Sequence, residues 1–238
     1  MTNNSDLCSS ALLDVAALIE RRDVSPVDVV QAMLDRIERL DGRLNTYVTV
    51  CAEQAIADAR AAEADIIAGG YRGPLHGVTF AVKDIVQTRG ILTTCGSRLF
   101  PDWRPEADAT VVERLRAAGA ILIGKLRTTE FALYGYPVGA TVPVNPWNPD
   151  YWAGVSSSGS GAAMGASLCH LAIGTDTAGS IRFPSAANGV VGIKASYGKV
   201  SRHGVFPLAE TLDHVGPMTH SVADGAAPLR ALAGRDRH

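Results

Sequence analysis

In the first seventy residues, apolar side chains recur every three or four positions, the spacing of one buried helical face. Between Ala11 and Arg22, the side chains of Leu12, Leu13, Val15, Ala16, Leu18 and Ile19 fall largely on one side of such a helix. A second helix carries its own start signal. Ser25 can cap it, Pro26 suits the first helical position, and Asp28 stands where a capping-box acid belongs. Val29, Val30, Met33, Leu34, Ile37 and Leu40 keep the helical step, and Gly42 is the expected stop. Leu44 to Val50 reads as a strand. An alanine-rich amphipathic helix follows, closed by Gly69-Gly70.

Beyond that point the texture changes. Gly77 to Val82 is a short continuous apolar run, the pattern of a strand buried on both faces, and it ends directly at Lys83-Asp84. Asp108 to Ala118 has helical periodicity and Ala120 to Gly124 is the next buried-strand run, which together make one βαβ-like unit. A Pro- and Asn-rich loop (Val142 to Asp150) leads into a Ser/Gly run, a helix of small residues and the apolar segment His170 to Ile173. The expected fold class is α/β, a mixed sheet flanked by helices. Residues 1–70 form an N-terminal helical segment and 71–238 an α/β core, within a single domain overall.

Composition narrows the function classes. Hydrophobic residues make up 47% of the 238 and charged residues 19%, enough apolar material for a packed core. A formal net charge of −2 and the lack of a basic stripe give no reason to expect nucleic acid or an acidic membrane as partner. Cys8, Cys51, Cys95 and Cys169 lie far apart, with no CxxC pair and no His at ligand spacing, so reduced thiols are expected rather than a disulfide framework or metal site. The N-terminus has no basic stretch followed by an apolar core, and no run is long enough to cross a bilayer. A soluble, cytoplasmic protein without metal or cofactor is the expectation.

Two segments carry candidate chemistry: Ala153-Gly-Val-Ser-Ser-Ser-Gly-Ser-Gly161 and Gly174-Thr-Asp-Thr-Ala-Gly-Ser-Ile-Arg-Phe-Pro184. Small residues let a backbone approach a ligand, and successive N–H groups in such turns form anion-binding pockets. Plain Gly/Ser turns or a phosphate loop remain alternatives, although neither segment matches GxxxxGK[ST] or GxGxxG. A serine nucleophile needs a base. The six histidines are scattered and none sits in a GxSxG elbow. Lysine can serve only when deprotonated, and one at the end of a buried strand is desolvated, which lowers its pKa from about 10.4. Lys83 is placed for that; the alternative is an ordinary salt bridge to the adjoining Asp84.

The stretch from Pro74 to Leu232 resembles the amidase signature family. The matching motifs run in order: Pro-Leu-His-Gly-Val with Val82-Lys83-Asp84, Asp108 to Val112, Gly124-Lys125, the Ser/Gly run, Gly174 to Arg182, Gly192-Ile-Lys194, Tyr197 to Arg202 and Thr211 to Pro217. The resemblance implies a Ser–Ser–Lys triad whose middle serine follows a cis peptide. Ser180 is then the nucleophile, Ser156 the proton relay and Lys83 the base, and the interval between the two serines is the one the family keeps. It further implies an oxyanion hole from the N–H groups of Thr177, Ala178, Gly179 and Ser180. Ser157, Asp176 and Arg182 take supporting roles, Arg182 alternatively clamping a substrate carboxylate, and Lys125 and Lys194 are structural. The implied activity is hydrolysis of a small-molecule carboxylic amide through an acyl-serine intermediate.

Three positions depart from the family pattern: Val155 and Ser158 stand where glycines are usual, and so does Ala178. A β-branched residue at 155 resists positive φ. Family members also continue well beyond Val222, and the further part supplies sheet strands and much of the substrate pocket. A chain ending at His238 is therefore expected to leave a sheet edge or apolar face uncovered, which a homodimer would shield. Two other readings stay open: the glutaminase-type component of an amidotransferase, and an inactive or partner-dependent fragment.

Overall fold

The computed structural model describes residues 4–133 and 135–236. Three helices open the chain: α1 (Asn4–Ser9), α2 (Leu12–Glu20) and α3 (Pro26–Leu44). The Ser25 side chain caps α3 by accepting from the Val27 N–H at 2.9 Å. Gly42 does not end α3, contrary to expectation. The helix runs on to Leu44, and Asn45 supplies the left-handed turn (φ 56°) that closes it. The Asp41 carboxylate explains the delay, because it accepts from the Thr46 N–H (2.7 Å) and the Tyr47 N–H (3.2 Å) and so fixes the exit one turn later. The strand expected from Leu44 consequently begins at Tyr47, as β1 (Tyr47–Val50).

The alanine-rich helix is α4 (Ala52–Ile67), followed by β2 (Thr79–Lys83), α5 (Thr110–Ala117) and β3 (Ile121–Leu126). A 3₁₀ turn (Glu130–Ala132) precedes α6 (Ser158–Gly165), the small-residue helix, and β4 (Leu171–Thr175). The pattern gave no warning of the elements that come after, α7 (Arg182–Asn188), β5 (Val191–Gly192), β6 (Val215–Thr219) and α8 (Val222–Leu232), nor of α1.

The six strands form one mixed sheet in the order β1-β3-β2-β4-β6-β5. The central three, β3, β2 and β4, are parallel; β1 is antiparallel to β3, and β6 to both β4 and β5. All residues of β2, β3, β4 and β6 are buried, as the largely apolar runs of β2, β3 and β4 lead one to expect. Glycine is needed where α6 crosses the sheet: a Cβ on Gly159 would lie 2.5 Å from the Arg127 nitrogen. The chain leaves β2 toward β3 on one side and leaves β4 toward β5 on the other. In open α/β sheets, the carboxyl ends of strands at such a divergence bound the crevice where ligands bind. Lys83 ends β2 and Thr175 ends β4.

Candidate active site

Two buried lysines sit on neighbouring strands and end up in different chemistry. Val82 is the register partner of Lys125, so side-chain alternation sends Lys125 and Lys83 to opposite faces of the sheet. Lys125 meets Asp84 there (3.5 Å) and donates to the Val86 carbonyl (2.6 Å) and the Thr93 hydroxyl (2.7 Å). Asp84 also accepts from the Thr94 N–H (2.9 Å) and hydroxyl (2.6 Å). The adjoining aspartate thus serves Lys125 and leaves Lys83 without a carboxylate in contact. Lys83 is 0% exposed, and its Nζ donates to Ser156 Oγ (2.6 Å) and Thr175 Oγ1 (2.8 Å). Burial depresses its pKa to about 7, against the opposing pull of the more distant Asp176 and Asp213 charges.

Ser156 is delivered by the Ser/Gly loop. Gly154 takes the positive φ (82°), and a Cβ there would lie 2.4 Å from the Pro184 Cα. Val155 avoids that region, so its β-branch is accommodated, and the Val155–Ser156 peptide bond is cis. The Ser156 carbonyl accepts from the Thr128 hydroxyl (3.0 Å) and the Thr129 N–H (3.4 Å), which tie the loop to the chain leaving β3. Ser157 ties it to β4: its hydroxyl donates to the Thr175 carbonyl (3.2 Å) and accepts from the Thr175 N–H (3.3 Å). Ser158 opens α6 with its hydroxyl bonded to that of Tyr136.

Ser180 is half-buried on the turn between β4 and α7. The Ser157 N–H donates to its carbonyl (3.3 Å), joining the two serine segments; no hydrogen bond links the Ser156 and Ser180 side chains among the described residues. Asp176 organises this turn. It accepts from the N–H groups of Gly179 (2.8 Å), Ile181 (3.2 Å) and Arg182 (3.3 Å). It also holds Arg182 by both ends of its fork (2.9 and 3.0 Å) and Lys194 (2.9 Å). Burial alone would raise the Asp176 pKa, but these donors hold it well below the usual carboxylate range. Arg182 is thereby engaged internally, although much of its side chain meets solvent.

The Gly179 N–H, expected in the anion pocket, points inward to Asp176. The N–H groups of Thr177, Ala178 and Ser180 have no hydrogen-bond partner among the described residues. A cavity of about 590 Å³ opens beside Thr177, lined also by Ile85, Ala132, Thr175, Phe206 and Asp213 among others. Thr175, Thr128 and Asp213 were not singled out from sequence. Thr175 and Asp213 lie within quoted motifs, but nothing in a linear pattern distinguishes them from structural neighbours. The four cysteines are free, and among the described residues no cluster of three or more His, Cys, Asp or Glu side chains is placed to hold a metal ion. Among the same residues no helix is long and apolar enough to cross a membrane.

A mixed α/β sheet with a buried lysine, two serine loops and an acid-organised turn at its carboxyl edge defines the class: the chain belongs to the amidase signature family. The Amidase family profile matches residues 28–238. The chain is 54% identical over 227 residues to a Mycobacterium tuberculosis protein named "Putative amidase AmiD", covering 95% of this chain and 48% of that one. It is 48% identical over 222 residues to the A component of the glutamyl-tRNA(Gln) amidotransferase of Geobacter sulfurreducens, covering 92% of this chain and 45% of that one. The structure of native peptide amidase from Stenotrophomonas maltophilia superposes with a TM-score of 0.91 at 37% identity, covering 96% of this chain and 49% of that one. The chain thus spans about half the length of the relatives it matches.

Proposed function

We propose that the site hydrolyses a carboxylic amide through an acyl-serine intermediate, with Ser180 as nucleophile, Ser156 as relay and Lys83 as base. The observation that carries this reading is Lys83 itself: fully buried, free of any carboxylate contact, and bonded to the Ser156 hydroxyl at 2.6 Å. A lysine with a pKa near 7 is neutral in a substantial fraction of molecules at physiological pH. Its lone pair accepts the Ser156 proton as Ser156 takes the Ser180 proton and Ser180 Oγ bonds to the amide carbonyl carbon. The carbonyl oxygen becomes an oxyanion facing the N–H groups of Thr177, Ala178 and Ser180. Loss of one such donor typically costs roughly 3–4 kcal/mol of transition-state stabilisation.

Collapse of the tetrahedral species breaks the C–N bond, and the leaving nitrogen takes a proton returned along Lys83 and Ser156. That return matters because an amide anion is a very poor leaving group. Water then attacks the acyl-Ser180 ester by the same relay and releases the acid. No step calls on a cofactor, and the substrate is a small-molecule amide.

The test is intact-mass detection of labelling by a fluorophosphonate, which serine attacks with loss of fluoride. Labelling of this chain that Ser180→Ala abolishes and Lys83→Ala slows by about a hundredfold or more agrees with the roles given. A folded parent that takes up no label contradicts them. The likeness to the glutamyl-tRNA(Gln) amidotransferase component supports a narrower variant, release of ammonia from glutamine; ammonia formation from glutamine but not from other primary amides would favour it.

A further inference from the structure

The turn that leads into β6 reaches the nucleophile segment through one side chain. Asp213 Oδ1 accepts from the Thr177 hydroxyl (2.5 Å), and Oδ2 accepts from the N–H groups of Leu208 (2.8 Å) and Ala209 (3.0 Å). One carboxylate therefore joins a wall of the cavity to the first residue of the anion pocket. The main chain is paired just before that residue, where Asp176 donates to the His214 carbonyl (2.9 Å) and accepts from the His214 N–H (3.2 Å). At Thr177 this pairing stops. What then holds Thr177 is its hydroxyl on Asp213 and a longer bond from Lys194 to its carbonyl (3.4 Å).

We propose that Asp213 is a positioning residue for the Ser180 reaction: by gripping the Thr177 hydroxyl it fixes the direction of the Thr177 and Ala178 N–H groups and so assembles the oxyanion pocket. The inference rests on the reading of Ser180 as nucleophile. A carboxylate suits the task because it is acceptor-only and takes one O–H and two N–H donors at once. An asparagine there would set its own amide donor against one of those groups. The requirement for direction is severe, since misplacement of about 1 Å at a reacting centre costs on the order of a hundredfold in rate.

Asp213 also bears on the base. Its negative charge and that of Asp176 both favour the protonated form of Lys83, against the larger effect of burial. Asp176 is already matched by Arg182 and Lys194. His214, next to Asp213, has Nδ1 on the Leu212 carbonyl (2.6 Å), and Arg202, His203, Glu210 and Asp236 line the same cavity. Removing the Asp213 charge alone should therefore move the Lys83 titration downward.

The experiment measures fluorophosphonate labelling of the 238-residue chain against pH for the parent, Asp213→Asn, Thr177→Val and the double variant. Each single variant is expected to label roughly ten- to hundredfold more slowly. The double variant should be no slower than the worse single one, because both remove the same bond. The inflection of the pH profile should fall in Asp213→Asn and stay in place in Thr177→Val, a split that loss of general stability would not produce. Should Asp213→Asn fail to fold by circular dichroism, Thr177→Val carries the test, and a rate equal to the parent's overturns the proposal. Multiplicative losses in the double variant, or superimposable profiles for Asp213→Asn and parent, overturn it as well. A parent without Ser180-dependent labelling removes the reading of the site, and this inference with it.

Discussion

Lys83 is costly to bury, and its cost depends on pH in a defined direction. Unfolded, it titrates at the ordinary 10.5; folded, at about 7. Between those values the unfolded chain binds more protons, so the contribution of this position to stability rises as pH goes from 7 toward 10.5. Below about 7 the penalty is fully present. Lys83→Met, of similar length and without a charge, is expected to be more stable than the parent at about pH 7. The difference should shrink toward about pH 10, read as urea midpoints at each pH. A gap independent of pH would contradict the depressed titration. The motif around Lys83 and its pairing with Ser156 were legible through the resemblance, but its second partner, Thr175, was not. Asp84 adjoins Lys83 in the chain and serves Lys125 instead, because strand alternation sends neighbours to opposite faces and only register decides who waits there.

The strands β2 and β3 are fixed to each other partly by that second pair. Lys125 and Asp84 are both fully buried, and burial pushes the lysine down and the carboxyl up while each opposes the change in the other. Removing one partner strands the other charge. Lys125→Ala is therefore expected to cost about 3–5 kcal/mol, seen as a fall in the urea midpoint at unchanged slope. A loss below about 1 kcal/mol would mean the pair is dispensable to the sheet. The central strands were readable because parallel strands buried on both faces give continuous apolar runs. By contrast, β6 escaped notice because Gly216 and Pro217 break its run, and β5 is only two residues long. Gly42 misled for a different reason: a side chain, Asp41, decided where α3 ends.

At the scale of the molecule, the ends of the sequence are drawn together. The Leu13 N–H of α2 donates to Asp224 of α8 (3.0 Å), and Arg114 of α5 bonds the Arg235 carbonyl (2.6 Å). Both contacts close the layer of helices without touching the serine loops. The candidate site lies instead at the carboxyl edge of the three parallel strands, where a buried lysine meets two turns rich in small residues. Family motifs made those residues legible one by one. Their mutual aim was not legible, since Thr175, Thr128 and Asp213 act through contacts far apart in sequence. The central claim is that a lysine neutral near pH 7 activates Ser180. The pH dependence of the Ser180 labelling rate tests it most directly. A rate that rises through an apparent pKa near 7 and levels off above it is the predicted result; a rate still climbing toward about pH 10, as an ordinary lysine would give, contradicts it.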